Sequence, residues 1–207
     1  MRIVAISDTH LRMDAADVPD GDLLIHAGDL TMHGRLAEIA RAGAWLRALP
    51  HRRKIVIAGN HDFAFEDAPG DARDALGGGL TYLEDDGVTI DGIRFWGSPW
   101  QPRFFDWAFN LDRGAPLAAK WGLIPDATDV LVTHGPPAGL LDLTVSGEHV
   151  GCADLLHRVK ALRPRVHIFG HIHEAAGVLT NEATTFVNAS ICDVDYRPTG
   201  PARVIDL

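Results

Sequence analysis

A layered α/β fold, with one mixed sheet or two packed sheets, is what the sequence predicts, and three observations carry it. Short β-branched runs end repeatedly in Gly, Asn, Asp or His. Apolar residues recur at helical spacing between those runs. The closing segment holds short strand patterns with no helix between them.

The first run, Arg2 to Ser7, is followed by Asp22 to His26, Lys54 to Ala58, Asp129 to Thr133 and Val166 to Gly170, each an apolar stretch of strand length that stops at turn-forming or polar residues. Between the second and third runs, Leu36, Ile39, Gly43, Leu46 and Leu49 keep helical spacing, as Leu155, Leu156, Val159 and Leu162 do before the last run. The closing candidates, Val178 to Thr180, Thr184 to Val187 and Arg203 to Asp206, suggest antiparallel pairing because no crossover helix separates them. Gly77, Gly78 and Gly79 read as a mobile turn rather than a domain boundary. With 207 residues, no internal repeat and no low-complexity segment, one domain over residues 1–207 is expected.

Hydrophobic residues at 46% and charged residues at 23% give the balance of a globular protein. A net charge of −9 argues against a binder of long nucleic acid, whose affinity rests on Lys and Arg meeting phosphates. Small phosphorylated substrates fit better. No run approaches the roughly 18–20 apolar residues that span a bilayer, and Ile3 to Ile6 is too short for a signal-peptide core, so no membrane partner and a cytoplasmic location are expected. Cys152 and Cys192 fit no C-x-x-C pattern and read as free core thiols.

Polar residues sit just past the strand ends: Asp8 and His10 after the first, Asp29 after the second, Asn60 and His61 after the third, His134 after the fourth, and His171 and His173 after the fifth. Ligands of open α/β sheets bind outside the carboxyl ends of the strands, so these loops should converge. The pooled carboxylate, imidazole and amide groups, without thiolate, suit Mn²⁺, Fe or Zn²⁺. One ion cannot use so many ligands, whereas two can share them if a carboxylate bridges, and Asp29 is the candidate. Each piece alone has a plainer reading. Asp-x-His can be a turn bonded to its own backbone, Asp29 a helix N-cap, and His134 the end of a buried strand. Alternate residues of a strand face opposite sides, so His171 and His173 can act together only where the chain bends. Accidental placement of all five pieces at strand ends is the weaker explanation.

In this order, Asp8-x-His10, Gly28-Asp29, Gly59-Asn60-His61-Asp62, His134 and Gly170-His171-x-His173 resemble the calcineurin-like metallophosphoesterase superfamily over nearly the whole chain. The stretches Gly97 to Pro102, Asp106 to Leu111, Thr133 to Pro137 and Phe186 to Ser190 resemble its metallophosphoesterase-domain-containing (MPPED) family. The resemblance implies two packed mixed β-sheets flanked by helices, a four-layer sandwich. It implies Asp8, His10 and His173 on a first metal, Asn60, His134 and His171 on a second, and Asp29 between them. It also makes a homodimer one expectation for the assembly. Leu30 to Gly34 replace the Asp and Arg that follow Gly-Asp in the superfamily's protein phosphatases, which speaks against that activity.

Two adjacent cations bring a shared water towards a pKa of about 7, so hydroxide between them is the expected nucleophile for in-line attack on phosphorus. His61 is the expected donor to the leaving oxygen. Asp62 is placed with it as a catalytic residue, with loop orientation or turn stabilisation as its alternative roles. His26 reads as a hydrogen-bonded core residue, and His33, His51, His157 and His167 as solvated. Phe95 to Phe109 is dense in aromatic residues whose default role is core packing; if a nucleobase stacks there, Trp100 and Phe104 are the candidates. Asn60, His61, Trp100 and Asn188 are the expected substrate contacts, and Asn188 and Ser190 are expected either to orient the metal loops or to contact phosphate. The expected reaction is hydrolysis of a small phosphodiester such as a cyclic nucleotide, because no Arg or Lys lies within the five motifs to meet the extra charge of a monoester. A phosphomonoesterase or nucleotidase, and a nucleotide-binding regulatory module with little turnover, are the alternatives.

Overall fold

Strands that are apolar on both faces need cover on both, and the first strand shows how the chain supplies it: Ile3, Val4, Ala5 and Ile6 are all buried. The computed structural model describes residues 1–13 and 16–207. Its strands are β1 (Arg2–Ile6), β2 (Leu23–Ala27), β3 (Arg53–Ile57), β4 (Thr81–Tyr82), β5 (Asp86–Ile90), β6 (Ile93–Ser98), β7 (Gln101–Pro102), β8 (Asn110–Leu111), β9 (Val130–Thr133), β10 (Val166–Phe169), β11 (Gly177–Thr180), β12 (Thr185–Asn188) and β13 (Arg203–Asp206). The helices are α1 (Leu36–Ala48), α2 (Ala64–Asp67), α3 (Pro69–Leu76), α4 (Ala115–Gly122) and α5 (Ala153–Leu162).

One sheet runs β13-β1-β2-β3-β4 and the other β11-β12-β10-β9-β6-β5, with β7 and β8 paired separately. Both large sheets are mixed. In the first, β1 to β4 are parallel and β13 is antiparallel to β1. In the second, β6, β9, β10 and β12 are parallel, with β5 and β11 antiparallel at the edges. The antiparallel expectation for the closing strands therefore holds for β11 with β12 and for β13 with β1, while β12 also pairs in parallel with β10.

Side-chain alternation builds the layers. Ile3, Ala5, Leu23, Ile25, Ile55 and Ile57 meet Val130, Val132, Val166, Ile168 and Val187 in one buried cluster between the sheets. On the outer side of the first sheet, Val4, Ile6, Leu24 and Val56 pack under Ile39, Ala42 and Leu46 of α1 and Ala72 and Leu76 of α3. On the outer side of the second, Leu131, Phe169 and Phe186 pack under Leu117 and Trp121 of α4 and Leu155 and Val159 of α5. The order is helix, sheet, sheet, helix. Both cysteines are free and buried, and the Sγ of Cys152 caps α5 by accepting from the Leu155 amide. Among the described residues no helix is long and apolar enough to cross a membrane.

The expectation that His33, His51, His157 and His167 are solvated holds for two of them. His51 and His167 are buried. His51 lies beside the Pro19 carbonyl at 3.0 Å, and His167 beside the Thr133 hydroxyl at 2.9 Å. Each satisfies one ring nitrogen with a local polar partner, which removes most of the need for water.

Candidate metal centre

Backbone bonds stitch the loop after β1 to that after β2, Asp8 N to Gly28 O (3.0 Å) and His10 N to Asp29 O (3.1 Å), and the loop after β10 to that after β9, Gly170 N to His134 O (2.9 Å), while His61 N donates to Asp29 Oδ1 (2.8 Å) and ties in the loop after β3. Such close approach leaves no room for side chains at the crossing points. A Cβ on Gly28, which also has φ +99°, would lie 2.5 Å from His134 Nδ1, and one on Gly170 would lie 2.1 Å from Asp8 Oδ2. Asp8, His10, Asp29 and His171 all sit at positive φ, between 41° and 70°. Non-glycine residues adopt that region at a cost of about 1–3 kcal/mol each, and a fold retains such strain where it holds a functional geometry. The same departure from strand geometry brings His171 and His173 to one place, because β10 ends at Phe169 and the chain turns into a short 3₁₀ helix at His173–Ala175.

Within this cluster the imidazoles are oriented by the nitrogen facing away from it. The Nδ1–H groups donate to backbone carbonyls: His10 to Thr31 (3.1 Å), His61 to Met32 (2.9 Å), His134 to Ala27 (3.0 Å) and His173 to Asp193 (2.8 Å). This tautomer points bare Nε2 atoms inward. His10 Nε2 and His173 Nε2 then face each other at 3.3 Å, and His134 Nε2 faces Asn60 Oδ1 at 2.9 Å. Two acceptors at such distances repel unless a proton or a cation lies between them. The carboxylates complete the set, with His173 Nε2 3.4 Å from Asp8, and His134 Nε2 3.5 Å and His10 Nε2 3.7 Å from Asp29. Three groups have ligand atoms mutually within 4.8 Å: Asp8, His10 and His173; His10, Asp29 and His61; and Asp8, Asp29 and His134. Asp29 belongs to two of them. A hard-to-borderline donor set of carboxylate oxygens, an amide oxygen and imidazole nitrogens fits divalent cations.

The electrostatics follow from the burial. Burial alone would depress the His134 and His173 rings, but Asp29 and Asp8 respectively outweigh it and push both up to about 9. Burial also opposes ionisation of Asp8 and Asp29, yet His173 and His134 beside them hold both carboxyls below the usual range. His10 and His171 are pushed down by burial, to about 4 and about 3. Protons on His134 and His173 thus occupy the gaps between acceptors where cations would sit.

Of the seven expected ligands, Asp8, His10, Asp29, His134 and His173 fall in these groups, with Asn60 against His134. His171 stands apart from the three groups. Its ring lies 5.1 Å from that of His134, and its backbone N–H donates to both oxygens of Asp8. None of the expected ligands lines the cavity of about 570 Å³ beside α5.

Asp62, expected among the catalytic residues, is fully buried and accepts from Leu30 N (3.1 Å), Thr31 N (3.0 Å), Thr31 Oγ1 (2.8 Å) and Gly59 N (2.9 Å). It therefore locks the Asp29 loop to the Asn60 loop. Burial and the charge of Asp29 push its carboxyl up to about 7, and the four donors aimed at it favour the ionised form. Asn188, expected as a substrate contact, is corrected in the same way. Its Nδ2 donates to Ile172 O (2.8 Å) and Leu141 O (3.2 Å), and its Oδ1 accepts from Ser190 N (3.2 Å), so both ends of the amide are bonded within the protein. Ser190 Oγ donates to Asp8 Oδ2 at 2.7 Å, the loop-orienting role expected of it.

His26 is a buried, hydrogen-bonded histidine, 3.0 Å from the hydroxyl of Thr9, which lies between Asp8 and His10. His167 repeats the arrangement through Thr133, which precedes His134. Trp100, expected against the substrate, is instead drawn into the protein. Its indole N–H donates to Asp85 (2.8 Å), Lys120 lies over its ring, and its edge meets Phe109. The tryptophan at the site is Trp107, 4.0 Å from the His61 ring, and Tyr196 lies 4.7 Å from His10. Neither carried a spacing signal. Trp107 belonged to an aromatic run with several candidates, and Tyr196 lies beyond the last motif.

A family model described as calcineurin-like phosphoesterase matches residues 1–175. Metallophosphoesterase domain-containing protein 1 of Homo sapiens is 45% identical over 230 aligned positions, covering 100% of this chain and 71% of the relative, and the same figures hold for that of Mus musculus. A UPF0046 protein of Caenorhabditis elegans is 43% identical, covering 93% of this chain and 70% of its own. Among solved structures, one crystal structure superposes with a TM-score of 0.72 at 15% identity, covering 99% of this chain and 98% of that one, which shows a shared fold.

Proposed function

The chain belongs to the calcineurin-like phosphoesterase family, whose chemistry is hydrolysis of phosphoric esters, and on that premise we propose that it is a phosphodiesterase for small diesters, cyclic nucleotides among them, using two divalent ions of Mn, Fe or Zn. The observation that carries the reading is the set of inward-facing Nε2 atoms around Asp29, with acceptor pairs at 3.3 and 2.9 Å that a proton or a cation must separate, beside carboxylates that favour a cation. Asp8, His10 and His173 would hold one ion, Asn60, His134 and His171 the other, and Asp29 both. When bound, such ions supply hydroxide at neutral pH and neutralise charge on the phosphoryl group.

The chain's own residues do the rest. His61 commits its Nδ1–H to Met32 O, so Nε2 is the nitrogen that faces the leaving oxygen, and it donates there only when the ring carries a second proton. Trp107 packs on the His61 ring and restrains it. Asp62, Asn188 and Ser190 hold the ligand loops in register. The preference for diesters is supported by how the nearby guanidinium groups are committed. Arg103 turns its Nε to Asp112 at 2.9 Å, and Arg113 donates to Val150 O and Gly151 O, both at 2.7 Å, so none of these bonds holds a guanidinium towards the metal ligands. Two buried free thiols fit a reducing compartment, and the cytoplasm is the proposed location.

Initial rates on bis(p-nitrophenyl) phosphate and p-nitrophenyl phosphate, with metal-stripped and Mn²⁺-reloaded protein and Asp29→Asn as control, test the proposal. Metal-dependent diester turnover that exceeds monoester turnover and is lost in the variant supports it. Faster monoester turnover would move the assignment to a monoesterase, and tight metal binding without turnover to a binding module.

A further inference from the structure

A groove of about 290 Å³ opens beside His171 and is shaped by the segments that deliver the candidate ligands: Gly135 and Pro136 follow His134, and Ile172 lies between His171 and His173. That volume sits at the small end of small-ligand sites, roughly 300 Å³ and upward. Further contacts come from Pro102 at the end of β7, Phe104 just after it, and Val150 and Gly151 before α5. The lining is mainly apolar. Two arginines border it: Arg103 donates through Nε to Asp112, and Arg113 donates through Nη1 and Nη2 to the Gly151 and Val150 carbonyls.

Phe104 is the feature that the fold leaves unexplained. It is 54% exposed and makes no contribution to the three buried clusters, yet its backbone is fixed. Asn110 Oδ1 accepts from Phe104 N at 3.3 Å, and its Nδ2 donates to Phe104 O at 3.3 Å and Phe105 O at 3.0 Å. Across the groove, Glu174, next to His173, accepts from the Val145 amide at 2.8 Å and anchors the opposite loop. An exposed aromatic ring on a tied-down loop is a preorganised stacking surface.

We infer that this groove is the subsite for one ester group of the substrate and that Phe104 selects diesters in which that group is or carries a flat aromatic ring. The inference rests on the phosphodiester reading for the position of the phosphoryl group, and it adds the class of substituent. An aliphatic group would gain little from one ring face, whereas an aromatic group gains stacking.

The test is binding of diphenyl phosphate and dimethyl phosphate to Mn²⁺-reloaded protein by calorimetry, in the wild type and in Phe104→Ala and Phe104→Trp. Both ligands carry the same single negative charge, so the ratio of their Kd values reports the substituent alone. The wild type is expected to prefer diphenyl phosphate, and Phe104→Ala to lower that preference by roughly 3- to 10-fold, the range stacking supports. Phe104→Trp should retain it. An unchanged Kd for diphenyl phosphate in Phe104→Ala, or equal binding of both esters by the wild type, overturns the inference. Binding is read without turnover, so absence of hydrolysis alongside a Phe104-dependent preference would remove the catalytic reading and leave the subsite standing.

Discussion

Replacing Asp62 with Asn changes one atom of a buried side chain, and the structure lets its cost be worked out. One carboxylate oxygen accepts from Leu30 N and Gly59 N, the other from Thr31 N and Thr31 Oγ1. The amide can keep one of these pairs and must turn an NH₂ towards the other. The cheaper orientation puts the NH₂ beside Thr31, because that hydroxyl can accept from it while donating to its alternative partner, His61 O, at 3.1 Å. One buried donor, Thr31 N–H, is then unpaired, at about 1–3 kcal/mol. For a chain of this size each kcal/mol moves Tm by about 2–4 °C, so a drop of roughly 4–8 °C is the central expectation for the metal-free protein. Because Asp62 joins the loops of Asp29 and Asn60, Mn²⁺ affinity should fall as well, while Asp62→Ala, which orphans the Leu30, Thr31 and Gly59 amides, should lose more of both. Thermal melts by circular dichroism and Mn²⁺ titration measure the two quantities. A Tm within 1 °C of wild type together with unchanged Mn²⁺ affinity would refute the positioning role.

Other outcomes follow from the same contacts. His134 and His173, raised to about 9 in the folded metal-free protein, bind protons more tightly than the unfolded chain does; their contribution is complete below pH ~6.5 and lost as pH climbs through about 9. His10, His26, His167 and His171, lowered to about 3–4, act oppositely and remove stability as pH falls below ~6.5. Denaturant titrations of EDTA-treated protein should therefore show greatest stability near neutral pH, and a monotonic rise to pH 9 would contradict this. Metal loading near pH 7 should release about two protons, read from calorimetry in buffers of different ionisation enthalpy. Gly170→Ala places a methyl 2.1 Å from Asp8 Oδ2 and Ser7 Oγ, so it should cost about 1–3 kcal/mol and weaken Mn²⁺ binding, as melts and titration would show. Thr133→Val removes the hydroxyl that bonds the His167 ring and should cost about 1–3 kcal/mol in urea unfolding, with Thr133→Ser restoring most of it.

The parallel core strands were legible because they are buried on both faces and stop at polar residues, so β1, β2, β3, β9 and β10 were placed within a residue or so. The stretch from Ala64 to Gly122 was not. Its strands β4, β7 and β8 are two residues long, α2 is a single turn, and the aromatic run from Phe95 to Phe109 carries no single period. The ligand candidates were visible as residues next to strand ends. What sequence spacing could not convey was the second ring of contacts: Asn188, Ser190 and Asp62 act by hydrogen bonds across 16 to 182 positions, or to backbone atoms, and backbone partners leave no mark on residue identity. The same applies to the choice between Trp100 and Trp107, which depends on Asp85 and Lys120 capturing the former.

The central claim, that these side chains hold two ions with Asp29 between them, is tested most directly by counting Mn²⁺ bound per chain in the wild type and in Asp29→Asn. Two ions in the wild type and at most one in the variant is the expected result. One ion or none in a folded wild type, or two in the variant with unchanged affinity, would contradict it.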